Sequence, residues 1–418
     1  MGIRYEAARI EGTGIDAGDL RALLADADRS APALPSEAFA AALDRAPSPP
    51  PRARADRVVV LGIGGSALGA RAVHEARSSP SALPLLVVDN GDPALLERAW
   101  RGGDPARTAW VVVSKSGTTT ETLAQCGVVR ERLARAGAWG ATHVVTGASG
   151  PLRDLARRDG LPLHDVPEEV GGRFSVFTAA ATVPLALAGI DVAPLVEGAR
   201  AARAHAAQPG AIPARLAALL VAAARRGRSV VALWSYAERL ETVGEWFRQL
   251  WAESLGKRRA DGARVGQTPL PCVGSTDQHS VQQLLVEGPA DKAAVVLAGP
   301  VEEDARCPEG PFGAASGHAL GAILGAMRRA TAAEMVRAGI PTATLHLEDW
   351  SERTLGILLM SLLFATVAAG RLLGVDPYGQ PGVEAAKVAT KELLQKPGGA
   401  RDRAIGETLG EGSGTRCM

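Results

Sequence analysis

Two kinds of apolar pattern alternate along the chain. Short continuous apolar runs recur at VVVLGIG from Val58, PLLVVD from Pro84, AWVVVSKS from Ala109, THVVTG from Thr142 and LPLHDV from Leu161. Each has the length of a strand covered on both faces. Between them lie segments of helical length, such as TTETLAQCGVVRERLARAG from Thr119. Strand and helix in repeated alternation predict a parallel sheet with helices on its faces. After Gln208 the pattern restarts: the helix-like GAIPARLAALLVAAARRG leads into SVVALW, AAVVLAG and TATLHLED as the next strand-like runs. The fold class expected is α/β, with two parallel-sheet αβα sandwiches side by side.

The flanks read differently. Ahead of Val58 stand two short helical patterns and the Pro-rich APSPPPRARAD, a connector that cannot sustain regular structure. The apolar LGILLMSLLFATVAAG, Leu355 to Gly370, is shorter than the roughly 20 residues a membrane crossing needs, so a buried core helix is expected. DPYGQPGVEAAKVATKELLQK starts one more helix, with Pro381 near its first turn, and the Gly-rich charged chain beyond Pro397 predicts a mobile tail. The division expected is a helical arm and connector over 1–57, one sandwich over 58–210, a second over 211–375, and a C-terminal helix with tail over 376–418.

Composition narrows the partners. In 418 residues, 46 Lys and Arg balance 45 Asp and Glu, so no long-range field favours nucleic acid or an anionic membrane, and a small molecule is expected instead. Cys126, Cys272, Cys307 and Cys417 form no C-x-x-C pair, and His318 and His346 are isolated, so neither disulfide nor metal site is expected. MGIRYEAARIEG lacks the apolar core of an export signal, and a cytoplasmic location is expected.

The chemistry gathers at the ends of the apolar runs. Gly62, Gly64 and Ala67 have the G-x-G-x-x-A spacing of a dinucleotide fingerprint, and Asp89 ends the next strand where a ribose-binding acid belongs. Taken alone, that turn suits a dinucleotide, a sugar phosphate or a plain strand-to-helix turn equally. SKSGTTTET, following the third apolar run, packs Ser114, Ser116, Thr118, Thr119, Thr120 and Thr122 around Lys115. Hydroxyls, one ammonium and open backbone N–H groups are what a compact phosphate dianion needs. In GGRFS, Gly171 and Gly172 let the backbone bend before Arg173, with Ser175 the expected cap of the next helix. Gln249 and Glu253 are four apart on a largely apolar helix face, where a carboxylate is costly to keep charged and suits a general base. His279 stands in a loop-like GSTDQH run, and Gln380, Glu384 and Lys387 share one side of a short helix. Each of these residues has a bland structural reading as well.

In order along the chain, GIGGSALG, SKSGTTTET, GGRFS, QLWAESLGK, GSTDQHS and GQPGVEAAK resemble the successive signatures of the phosphoglucose isomerase family. The likeness runs from Val58 to about Lys391. It implies two sugar isomerase (SIS) domains, a compact bacterial form, a glycolytic and gluconeogenic enzyme interconverting glucose 6-phosphate and fructose 6-phosphate, no cofactor, and a homodimer. By position it implies phosphate binding by Ser114, Lys115, Ser116 and Thr119, with Gly65 and Ser66 lining the sugar side and Gln249 and Gln380 holding oxygens. Glu253 is then the base that moves a proton between C1 and C2, and Arg173 stabilises the enediolate. His279, from the neighbouring subunit, and Lys387 assist ring opening. Leu255 stands where many members have Asn, and Thr276-Asp277 replaces a common Asn-Gly, which puts loop detail and substrate preference in question. Three alternatives remain: an isomerase that also takes mannose 6-phosphate, a non-catalytic SIS-domain sugar-phosphate sensor, and a nicotinamide oxidoreductase, which leaves the SKSGTTTET hydroxyls without a role.

Overall fold

A computed structural model describes residues 2–7, 12–45, 49–77, 81–300, 305–395, 404–405 and 408–409. In chain order its strands are β1 (Ile3–Ala7), β2 (Arg57–Leu61), β3 (Leu85–Val88), β4 (Thr108–Ser114), β5 (His143–Thr146), β6 (Leu163–Asp165), β7 (Val230–Ser235), β8 (Lys257–Arg258), β9 (Arg264–Val265), β10 (Thr268–Val273), β11 (Lys292–Ala298) and β12 (Thr342–Leu347). They form two five-stranded sheets, ordered β3-β2-β4-β5-β6 and β1-β12-β11-β7-β10, plus the β8-β9 ribbon. The first sheet is wholly parallel. Strands β2, β4 and β11 are buried along their whole length, which is why their sequences read as unbroken apolar runs.

Two strands escape the apolar pattern. Residues 1–57 do not form a purely helical arm, because β1 pairs antiparallel with β12 and makes the second sheet mixed. At that edge IRYEA buries only Ile3, exposes Arg4, Glu6 and Ala7 and carries charge, so it reads as neither strand nor helix. The other is β10, TPLPCV, on the opposite edge. Thr268 N–H and Gly274 N–H donate to β7 and its flank, so the alternate positions face away from the sheet. There Pro269 and Pro271 forgo no ladder bond, and Val273 N–H donates to the Asp277 carboxylate at 2.7 Å.

The Glu352–Leu373 helix has the length and composition of a membrane span, yet it is buried inside the protein and packs on the Ala193–Ala206 and Ile212–Arg225 helices. The first of these crossings is glycine-limited. A Cβ on Gly198 would lie 1.9 Å from the Arg353 carbonyl oxygen, and one on Gly356 would lie 2.0 Å from that of Leu195.

Both sheets belong to one compact unit, Met1–Pro377, while Tyr378–Met418 forms another. In the second unit, a turn at Pro381–Val383 leads into the Glu384–Gln395 helix. Apart from 404–405 and 408–409, the tail expected to be mobile lies outside the described residues.

Candidate active site

In the first sheet the chain leaves β2 toward β3 on one side and returns as β4 on the other, so the C-terminal ends of β2 and β4 flank a crevice. Two turns fill it, Gly64–Ser66 after β2 and 115–119 after β4. Gly65 lies against the backbone of a third segment: a Cβ there would sit 2.2 Å from the Gly172 carbonyl carbon. Ser175 Oγ completes this contact by donating to the carbonyls of Gly65 (3.1 Å) and Gly172 (2.7 Å). Ser175 therefore locks two loops together and does not cap the following helix. Thr178 caps it, its Oγ1 accepting from Ala180 N–H at 3.3 Å.

In the 115–119 turn, Ser114 is buried and its hydroxyl is paired with that of Thr119 at 3.0 Å, so it braces the turn from below. Ser116 is exposed, and its Oγ accepts from Thr118 N–H at 3.2 Å and from the Thr118 hydroxyl at 3.0 Å. Lys115 Nζ donates to the Glu168 carbonyl at 2.7 Å, drawing this turn toward the segment that carries Arg173. Burial lowers the Lys115 pKa from its usual range, with Glu168 and Glu169 pulling the other way. An ammonium whose one hydrogen bond among the described residues goes to a neutral carbonyl, in a partly desolvated place, gains by meeting an anion.

Arg173 is 4 % exposed. Its guanidinium donates to Ser254 Oγ at 2.8 Å, to Glu253 Oε2 at 3.0 Å and to the Pro377 carbonyl at 2.5 Å. Glu253 lies in the last turn of the Glu241–Leu255 helix, and its Oε1 accepts from Gln249 Nε2, one turn earlier, at 3.0 Å. Gln249 also faces the first turn, since a Cβ on Gly64 would lie 2.9 Å from Nε2. The buried Gln249 Oε1 has no hydrogen-bond partner among the described residues, an acceptor that suits a ligand hydroxyl. Gly64, Gly65, Arg173, Gln249 and Glu253 thus meet in one place.

His279 is not part of this cluster. It is exposed at the end of the Thr276–His279 turn, with no hydrogen bond or ion pair to Arg173 or Glu253. Gln380 and Lys387 lie in the Tyr378–Met418 unit, where Lys387 is exposed and paired with Glu384 at 2.9 Å.

Three contributors are new relative to the sequence reading: Ser254, the Pro377 carbonyl and Lys257. Lys257 Nζ donates to the Asp376 carbonyl at 3.0 Å. Burial first, and then the Arg173 charge, lower its pKa, while Asp376 and Glu253 oppose them. Ser254 and Lys257 stand beside Glu253 in QLWAESLGK, but local spacing does not reveal a partner 81 residues away.

The family model for phosphoglucose isomerase matches residues 53–296. A probable glucose-6-phosphate isomerase of Halobacterium salinarum is 43% identical over 339 residues, covering 79% of this chain and 78% of the relative. A glucose-6-phosphate isomerase of Rubrobacter xylanophilus is 42% identical over 365 residues, covering 81% and 83%. Among solved structures, a hypothetical protein of Thermus thermophilus aligns with TM-score 0.77 and 34% identity over 93% of each chain. A glucose-6-phosphate isomerase of Chlamydia trachomatis aligns with TM-score 0.84 over 98% of this chain and 92% of its own, at 21% identity, a likeness of fold.

Proposed function

Since the chain belongs to the phosphoglucose isomerase family and is an aldose–ketose isomerase, we propose how its own side chains interconvert glucose 6-phosphate and fructose 6-phosphate. The observation that carries the reading is the Arg173–Glu253 contact, 3.0 Å long, beside the two glycine turns. A base next to a fixed cation is what proton transfer through an enediolate needs.

Lys115, Ser116, Thr119 and the open N–H groups of their turn anchor the phosphate, with Ser114 holding Thr119 in place. Gly65 and Ser66 form the sugar wall, and Gln249 and Gln380 hold sugar or phosphate oxygens. Glu253 takes the proton from C2 of the open-chain aldose and delivers it to C1. The negative charge left on the enediolate oxygens is stabilised by Arg173, and because that guanidinium is already held by protein groups it needs little reorganisation as the charge develops. Ring opening falls to His279 and Lys387. The phosphate supplies the binding energy that sets C1 and C2 against Glu253. A non-catalytic sensor has no use for such a base–cation pair, and no observation favours mannose 6-phosphate as the preferred substrate.

We assign His279 to the site of a second copy in a homodimer. In support, it is exposed and apart from its own Arg173 and Glu253, while Leu284 and Met327 near its turn are 55% and 37% exposed and offer apolar surface to a partner. A cytoplasmic location follows from the reaction proposed.

Purified protein given fructose 6-phosphate should form glucose 6-phosphate, and absence of turnover overturns the reading. His279→Ala and Glu253→Gln chains should each be inactive, yet regain about a quarter of native activity when mixed and reassembled, because half the dimers then carry one complete site. No recovery assigns His279 to its own subunit or to no catalytic role.

A further inference from the structure

The second sheet repeats the wiring of the first. The chain leaves β7 for β10 on one side and returns as β11 on the other, so β7 and β11 flank a second crevice at their C-terminal ends, where open α/β sheets bind ligands. A cavity of about 750 Å3 opens there, lined by none of the residues assigned above. That volume is within the range of small-molecule sites.

Its wall is built from residues just beyond the strand ends. Tyr236 and Arg239 come after β7, Gly299 after β11 and Trp350 after β12. The Arg239 guanidinium lies over the Trp350 ring at 4.6 Å. Trp350 Nε1 is buried and without a hydrogen-bond partner among the described residues. Arg328, on the Leu320–Arg337 helix, is half-buried, lines the cavity, and makes no hydrogen bond or ion pair among the described residues. Burial and the adjacent Arg329 lower its pKa, while Tyr236 and Glu6 oppose them. Glu238 and Glu241 also line the cavity, are exposed, and offer acceptors to hydroxyls.

Two cations, an indole N–H donor and carboxylate acceptors define a ligand with an anionic end and several hydroxyls. We propose that this crevice is a second ligand site, for a phosphorylated polyol whose phosphate meets Arg328 and Arg239 and whose hydroxyls meet Glu238 and Glu241. The choice of phosphate as the anionic group rests in part on the reading of the first crevice as a phosphosugar site. Glu241 opens the helix that ends near Glu253, so the two sites are separated by about 18 Å of helix and can be filled together.

Glucitol 6-phosphate, which has no carbonyl and cannot be isomerised, is the probe, titrated calorimetrically into the full chain. Two sites per chain are expected. Arg328→Ala should weaken one of them by about tenfold or more while turnover at low substrate stays native, and Arg328→Lys should recover part of the loss. Lys115→Ala should weaken the other site and raise the substrate concentration needed for turnover. A single site per chain, or a second site indifferent to Arg328→Ala, overturns the proposal. Inorganic phosphate binding there as tightly as glucitol 6-phosphate overturns the polyol class. Failure of the isomerase reading is separate, since it shows as absent turnover whatever Arg328 does.

Discussion

Arg173 and Lys115 are both cations near the ends of first-sheet strands, and they are held in opposite ways. Arg173 is almost wholly buried and spends its donors on a serine, a carboxylate and a backbone carbonyl. Lys115 is half-buried, makes one hydrogen bond among the described residues, to a carbonyl, and has its charge disfavoured by burial against the pull of Glu168 and Glu169. A cation fixed by the protein sets geometry, and a cation left short of partners waits for an anion. The first suits a transition state whose charge develops at one spot, and the second suits a phosphate that must enter and leave.

The comparison can be broken by exchanging which kinetic constant each residue moves. Arg173→Ala should lower kcat by about 10²- to 10³-fold, because it removes charge stabilisation realised as the enediolate forms and leaves Glu253 held by Gln249 alone among the partners described. A change confined to KM would show that Arg173 acts in binding alone. Gly65→Ala drives a methyl into the Gly172 backbone and should cost about 1–3 kcal/mol in denaturant unfolding along with most activity, whereas a native-like variant would show that the two loops have room to part. Lys115→Ala should raise KM by about ten- to a hundredfold with kcat lowered less, and the reverse pattern would remove the contrast with Arg173.

The smallest effect lies far from both. Burial, and then the neighbouring His164, hold the His143 pKa at about 4. An unfolded histidine titrates near 6.5, so below that pH the unfolded chain gains a proton that the folded chain refuses. This contribution to stability is complete above about pH 6.5 and is lost as pH falls toward 4. Urea midpoints of native and His143→Gln chains should therefore differ more favourably for the native chain at about pH 7.5 than at about pH 5. A difference that is the same at both values contradicts this.

The parts of the fold legible in the sequence are those set by local physics. Strands buried on both faces, such as β2 and β4, must be apolar throughout, and the turn from β4 into its helix gathers hydroxyls and a glycine close together. Edge strands carry no such demand, so β1 with its charges and β10 with its prolines do not stand out. The pairing of Arg173 with Ser254 joins residues 81 apart, and no periodicity encodes it. A serine before a helix looks like a cap whether its hydroxyl turns to that helix or, as with Ser175, to Gly65 and Gly172.

The central claim is that Glu253, set between Gln249 and Arg173, moves the proton. Proton NMR of glucose 6-phosphate in D2O follows loss of the C2 hydrogen directly. The native chain should exchange it as it turns over, and Glu253→Gln should bind the substrate yet slow both exchange and turnover by about 10³-fold or more. Exchange and turnover that persist in Glu253→Gln at near-native rates would contradict the account.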